Sequence, residues 1–395
     1  MPVRDEEKTA RLFQEIREAG LDALVCRLSE NVLTLSGYFP NIGQSFAVAT
    51  KSREISVIAP EQEAPWFQEG YQDETRTFRG IWQVQHPPAE EGIAEAFRDL
   101  ARDKKLNRAR IGYEGSFEFV APQMLAAECN VPGEPFRRML RGVFPDAEFI
   151  DATLVLDRVR ARKSARDVNR LRLACEVAAF CYEALVDAAS AGKTDAEAAA
   201  AAEQAAYARG VGHKGIKVAR AYAQVASGSL TGGWNMYLPS TQKRIEPGDM
   251  VLMELGLMVD GYWTDLTRSF VIGRANAEQA EVWETQQAAL RAVLEAIRPG
   301  AVGAEVDRVG RTRLGKYAPY LHHHIGHGLG VKYHEPIPAL NPRSTHVLEA
   351  GHYVAVEPGI FLPGRFGVRN EENAVVTDRG AEVLTSLVPT VLEVQ

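Results

Sequence analysis

Four cysteines in 395 residues are too few to make a disulfide framework, which is dense and paired in the secreted domains that rely on one. Cys175 and Cys181 lie six apart in a helical pattern, a spacing that serves neither a metal nor a redox pair. No stretch approaches the roughly 18 apolar residues of a membrane-spanning helix. Positive charge is in short supply: 45 Lys and Arg against 52 Asp and Glu leave a net charge of −7. A nucleic-acid backbone would therefore find no basic field, and a membrane surface no polybasic segment. The opening MPVRDEEKTA is acidic and polar where a signal peptide needs an apolar run. These absences predict a soluble, cytoplasmic protein with neither nucleic-acid nor membrane partners. What is there, 46% apolar and 25% charged residues, is ordinary for a folded chain and excludes collagenous and disordered classes. At roughly 100–200 residues per domain, the length predicts two or three units.

The first part alternates helices with short strands. Leu12, Phe13 and Ile16 mark one face of a helix over residues 5–19, stopped by Gly20. Apolar runs at Ala23–Cys26, Ser45–Thr50, Glu54–Pro60 and Arg110–Gly115, with a charged helix near 89–104, predict an α/β domain over residues 1–155. The basic tract from Arg158 to Lys163 reads equally as a linker or as a solvated helix entry. Ser164 with Asp167, and Thr194 with Glu197, are capping-box patterns that start two helices. From about residue 217 the period switches to strands, interrupted by helices near 276–297 and 303–317. Residues 156–395 are therefore expected to form an α+β domain with an antiparallel sheet.

Residues 248–270, GDMVLMELGLMVDGYWTDLTRSF, hold two strand-like runs around Asp260-Gly261, a strong hairpin signal. With the tip centred between Val259 and Asp260, Glu254 is expected directly opposite Asp265. Opposed residues share a face with Cβ atoms about 4.5–5.5 Å apart. Two carboxylates that close, among Val251, Leu252, Met253, Leu255 and Leu257, repel each other unless a cation or a shared proton intervenes. A second hairpin, residues 353–361 and 367–377 centred on Gly364, places Glu357 opposite Glu371 in the same way. Between the two lies LHHHIGHGLGVKYHEP, which holds His322, His323, His324, His327 and His334. Gly326, Gly328 and Gly330 around His327 allow backbone to approach a ligand closely. Four carboxylates and an imidazole are the inventory of a two-metal hydrolytic site.

Four motifs in order carry a resemblance. Gly-Tyr-x-x-Asp-x-Thr-Arg (Gly261 to Arg268), Gly-His-Gly-x-Gly-x-x-x-His-Glu-Pro (Gly326 to Pro336), Val-Glu-Pro-Gly (Val356 to Gly359) and Gly-x-Arg-x-Glu (Gly367 to Glu371) resemble the pita-bread metallopeptidases. These comprise Xaa-Pro aminopeptidase, prolidase (Xaa-Pro dipeptidase) and methionine aminopeptidase, with a metal-free creatinase branch. The segment SENVLTLSGYFPNIGQ (29–44) resembles the N-terminal domain of the proline-specific and creatinase branches, which disfavours methionine aminopeptidase. The resemblance implies a pita-bread catalytic domain, a homodimer, and hydrolysis of an Xaa-Pro bond in dipeptides or short peptides. It assigns two divalent ions (Mn, Co or Zn) to Glu254, Asp265, His327, Glu357 and Glu371, with a bridging hydroxide as nucleophile. Glu357 would position that nucleophile and accept its proton, His334 and His323 would hold substrate and oxyanion, and Arg369 would buttress a bridging glutamate. Arg343 matches an arginine for the substrate's carboxylate, and Tyr38, Asn41 and Tyr237 are candidate substrate contacts.

The chain departs from the family pattern in three places. Glu254 stands where the family has Asp, a side chain roughly 1.5 Å longer by one C–C bond. Met236 or Tyr237 replaces a substrate histidine, and Phe361 replaces a tyrosine. Two rival readings follow. One is a metal-free, creatinase- or ectoine-hydrolase-like C–N hydrolase acting through Glu254 and His334. The other is a binding module that kept the fold and lost catalysis.

Overall fold

The computed structural model describes residues 3–41, 43–79, 89–115, 133–233 and 239–395. The chain divides into two units, Met1–Arg160 and Ala161–Gln395. Among the described residues, no helix is long and apolar enough to cross a membrane.

The first unit is a six-stranded mixed sheet. Its strands are β1 (Ala23–Cys26), β2 (Phe46–Thr50), β3 (Ile55–Pro60), β4 (Glu74–Phe78), β5 (Arg110–Tyr113) and β6 (Glu148–Asp151), in the order β4-β3-β2-β1-β5-β6. Helices α1 (Glu6–Glu18), α2 (Ser29–Ser36), α3 (Ala89–Asp103), α4 (Gly133–Val143) and α5 (Thr153–Ala161) accompany it. The central strand reads as an unbroken apolar run because both its faces are covered. Ala23 and Val25 pack with Phe97 and Phe136, whereas Leu24 and Cys26 pack with Leu12, Ile16 and Leu35. The boundary expected at residue 155 falls inside α5, and the two units divide within the basic tract, between Arg160 and Ala161, where Arg158 is exposed. Arg160 is buried against Asp157 and Asn31.

The second unit opens with α6 (Ala165–Ala188) and α7 (Asp195–Ala205), each started by the capping box read from the sequence. A three-stranded antiparallel ribbon follows: β7 (Ala219–Ser227), β8 (Met250–Val259) and β9 (Tyr262–Ile272). Val251, Met253, Leu255 and Leu257 of β8, with Leu266 and Phe270 of β9, bury against α6 and α7. Each such Val or Leu contributes about 1.5–3 kcal/mol by leaving water. Strand alternation then sends Glu254, Asp265 and Thr267 to the other face. Helices α8 (Ala277–Ala296) and α9 (Gly303–Leu314) cover a second sheet containing β10 (Gly326–Gly328), β11 (Glu335–Leu340), β12 (Tyr353–Val356), β15 (Glu372–Thr377) and β16 (Gly380–Val383). A two-stranded hairpin of β13 (Gly359–Leu362) and β14 (Phe366–Arg369) completes this region, and β17 (Glu393–Val394) pairs with β9.

The first hairpin corrects the expected register. Glu254 pairs with Thr267 and Asp265 with Gly256, because Asp260 and Gly261 are together the two central turn residues. Their φ values of 47° and 87° are the pair of positive angles that a tight hairpin of the right twist demands. The tip is thus one residue later than expected and the register two residues off. A two-residue shift preserves the face, so both acids still point the same way. In the second hairpin the register centred on Gly364 is the one observed, with Gly359 opposite Arg369 and, in the adjoining ladder, Val356 opposite Glu372. Glu357 and Glu371 sit in the gap between those two ladders.

At the start of the second unit, Lys163 is buried and its ammonium lies 2.6 Å from Glu335 Oε2. The other oxygen of Glu335 accepts the Val331 N–H at 3.1 Å. This pair fixes the loop that carries Tyr333 and His334.

Candidate metal centre

Glu254, Asp265, His327, Glu357 and Glu371 all come together, and all are at most 4% exposed. Glu254, Asp265 and Glu371 each bring one oxygen within 4.8 Å of the others, as do the donor atoms of Asp265, His327 and His334, and those of His324, His327 and Glu357. Close backbone approach makes this possible: a Cβ at Gly326 would sit 2.1 Å from the Ala355 carbonyl oxygen. That proximity lets β10 slot beside β12 and aim His327 inward.

His327 Nδ1 lies 2.8 Å from the Gly328 carbonyl oxygen, so Nδ1 carries the proton it donates there. Burial, with His334 and His324 close by, holds the ring well below its ordinary pKa and hence neutral. Nε2 then presents a lone pair, and it faces Asp265 Oδ2 at 3.3 Å and Glu357 Oε1 at 3.8 Å. Three acceptor atoms converge there. Burial pushes the Asp265 carboxyl well up, with Glu371 and Glu357 adding repulsion. Burial likewise raises Glu357 to about 8 and displaces Glu371 upward. Glu371 Oε1 is buried without a hydrogen-bond partner. An acidic, oxygen-rich pocket with a neutral imidazole and an orphaned carboxylate oxygen is a fit for a divalent cation.

Around these groups, Arg369 donates to Glu357 Oε2 at 3.0 Å, contacts Glu254 Oε2, and donates through Nε to Thr267 Oγ1 at 2.9 Å. Thr267 Oγ1 lies 2.6 Å from Glu254 Oε2 and 2.8 Å from Glu371 Oε2. The Asn373 amide clamps the Asp265 backbone, donating to its carbonyl at 2.6 Å and accepting its N–H at 3.0 Å. Tyr333 Oη is 2.7 Å from Asp265 Oδ1 and 3.1 Å from Glu254 Oε1. Sequence reasoning assigned no role to Thr267, Tyr333, Asn373 or His324, whose Nε2 is 3.0 Å from Glu357 Oε1. The two-residue spacing of Asp265 and Thr267 was the one available signal, since it puts them on one strand face.

His334 lies with its ring 4.4 Å from that of His327, and burial above all lowers it to about 3. His323 Nδ1 donates to the His324 carbonyl at 2.6 Å, which leaves Nε2 buried and unpartnered. Arg343 lines a cavity of about 620 Å³ together with Arg311, His323 and His324. Phe361 packs against the His323 ring at 5.8 Å. In the first unit, Tyr38 is wholly buried and donates to Glu63, which also accepts the Asn41 backbone N–H at 3.1 Å. Tyr38 is thus a core residue of its unit, which corrects its expected place at the substrate; Asn41 is exposed. Tyr237 and Met236 lie outside the described residues.

The sequence profile described as metallopeptidase family M24 matches residues 169–378. This chain belongs to that family. It is an M24 enzyme with the pita-bread fold. It is 34% identical over 250 residues to an Xaa-Pro dipeptidase of Lactobacillus helveticus, covering 62% of this chain and 66% of that one. It is 26% identical over 384 residues to an Xaa-Pro dipeptidase of Pyrococcus horikoshii, covering 96% and 97%. The solved prolidase of Pyrococcus horikoshii OT3 superposes with a TM-score of 0.76 at 25% identity, over 98% of this chain and all of that one. The five motif donors and Arg369 all fall within the matched span, and M24 membership implies a divalent metal cofactor, for which the acidic and imidazole groups are possible ligands.

Proposed function

We propose that this M24 enzyme hydrolyses the Xaa-Pro bond of dipeptides, with slower action on longer peptides. The observation that carries its metal dependence is the His327 Nε2 lone pair turned toward two buried carboxylates. Asp265, His327, Glu357 and Glu371 would hold a divalent cation, which when bound would supply Lewis acidity to a water and to the scissile carbonyl. Glu357, held by Arg369 and beside His324, is the group placed to take the proton of the attacking water. His323 has committed its Nδ1 proton, so its free Nε2 accepts an N–H of the substrate rather than stabilising an oxyanion. Oxyanion stabilisation then rests with His334. Arg343 offers a planar guanidinium fork to the carboxylate that a dipeptide carries one residue from the scissile bond. That match favours a dipeptidase over an aminopeptidase.

The carboxylate and imidazole donors suit manganese, cobalt and zinc alike. The homodimer and the cytoplasmic location expected from the sequence belong to the same proposal, the latter supported by the free thiols of Cys26, Cys175 and Cys181. The metal-free alternative is disfavoured by the gathering of the Glu254, Asp265, Glu357 and Glu371 carboxyl groups in one buried site.

Elemental analysis of enzyme purified without chelator, paired with proline release from Ala-Pro and from an Ala-Pro-containing tripeptide, tests the proposal. Metal-dependent release, faster from the dipeptide, is expected. Full turnover of a cyclic amidine in the presence of chelator would instead establish the creatinase-like reading. Asp265→Ala should lose both metal and turnover, the latter by about 100-fold or more, since even outer partners of metal ligands are worth 10–100-fold.

A further inference from the structure

The donor inventory of the sequence suggests two cations, yet one half of the centre is already filled by protein. We propose that the Tyr333 phenol takes the place of one cation, so that the enzyme holds a single tightly bound divalent ion on the His327 side. The inference rests on the metal centre of the proposed function and concerns how many ions it holds.

A cation shared by Glu254 and Asp265 would have to lie between their facing oxygens. Tyr333 Oη lies there, 3.1 Å from Glu254 Oε1 and 2.7 Å from Asp265 Oδ1. The second oxygen of Glu254 is also engaged, by the Arg369 guanidinium and by Thr267 Oγ1 at 2.6 Å. Glu254 therefore meets at Oε1 a phenol whose one proton it shares with Asp265, and at Oε2 a cationic partner in Arg369, all within the protein. The methylene that Glu254 has beyond Asp, worth roughly 1.5 Å of reach, favours that arrangement.

The phenol is held in place by its surroundings. A Cβ at Gly256 would stand 3.0 Å from the Tyr333 ring, so a side chain there would press on the ring and glycine leaves it room. The ring packs edge-on to Trp263 at 5.5 Å and to His334 at 4.6 Å. Trp263 in turn donates its backbone N–H to Gly330 at 2.6 Å, tying β9 to the loop that bears Tyr333. On the opposite side the position is reversed. His327 Nε2 faces Asp265 Oδ2 at 3.3 Å and Glu357 Oε1 at 3.8 Å, and Glu371, which also lies near Glu254 and Asp265, keeps Oε1 buried without a partner. That half retains the need for a cation, and the Glu254 half has met it with side chains.

The test is metal stoichiometry by elemental analysis and isothermal titration with manganese, read alongside the electron paramagnetic resonance of the bound ion. The wild-type enzyme should bind one equivalent and give the signal of an isolated Mn(II). Tyr333→Phe, which keeps the ring and removes the hydroxyl, should bind two and show the spectrum of an exchange-coupled pair. Two equivalents in the wild type overturn the inference, as does a folded Tyr333→Phe that still binds one. If Tyr333→Phe does not fold, the wild-type count decides alone. Two ions with Ala-Pro turnover refute this inference and leave the proposed function standing. One ion without Ala-Pro turnover does the reverse, and no bound ion refutes both.

Discussion

At the residue scale, much of the chemistry turns on where a histidine proton goes. His327 and His323 both give the Nδ1 proton to a backbone carbonyl, so both present Nε2 as an acceptor, the former toward carboxylates and the latter buried without a partner. His352 has the opposite arrangement: its Nδ1 accepts the Glu349 N–H at 3.1 Å. Burial, with Lys163 and Arg162 near, lowers its pKa to about 3, against roughly 6.5 in an unfolded chain. Below about pH 6.5 the unfolded chain binds a proton that the folded one refuses. This contribution is therefore complete above pH 6.5 and is lost as pH falls toward 3, by about 1.4 kcal/mol per unit. His352→Asn, which keeps an acceptor for Glu349, should lose less stability than wild type between pH 7.5 and 5 in thermal melts. Parallel losses would contradict the assignment. Metal-ligand types such as Asp265 and His327 were legible in the sequence because their chemistry is in the residue type. Thr267, Tyr333 and Asn373 are neutral, common residues that acquire a role only from what the fold sets beside them.

At the scale of elements, the β8–β9 hairpin shows what an alternating pattern can and cannot specify. Apolar residues at 251, 253, 255 and 257 named the buried face and so the acid face. They could not locate the turn, because Asp260-Gly261 serves equally as the middle or the end of a tip until both residues adopt positive φ. The odd-length loop around Gly364 was located correctly, since β13 and β14 extend equally far on either side of it. Strand β10 carries the strictest constraint. A methyl group at Gly326 would meet a backbone oxygen at 2.1 Å, and backbone cannot step aside as a flexible side chain can. Gly326→Ala should cost about 1–3 kcal/mol, the usual range for overpacking, and should weaken metal binding because His327 moves with the strand. An unchanged melting temperature with full metal content would show that β10 tolerates the displacement.

At the scale of the whole molecule, the motifs placed the catalytic unit and its fold correctly, because four spaced signatures spread over about a quarter of the chain are tied to one topology. The limits of the two units were less legible. The end of the first unit lies within α5, a continuous helix with no glycine or proline to mark it. A further consequence concerns stability. Ion binding at a thousand times its Kd contributes about 4 kcal/mol, and 1 kcal/mol shifts the midpoint by roughly 2–4 °C for a unit of this size. Stripping the enzyme with chelator should therefore lower its melting temperature by about 10 °C, with recovery on adding manganese. A melt insensitive to chelator, in protein shown to have lost its metal, would mean that the carboxylates are reconciled without a cation.

The ammonium of Lys163 bears on any attempt to isolate the peptidase unit. Ser164, the helix-capping residue, is an inviting place to begin a shortened chain, yet such a cut would strand the Glu335 carboxylate in an apolar interior with its counterion gone. The loop bearing Tyr333 and His334 would then lose its anchor at the end that reaches the substrate. A trimmed enzyme has to start upstream of that lysine to remain an enzyme.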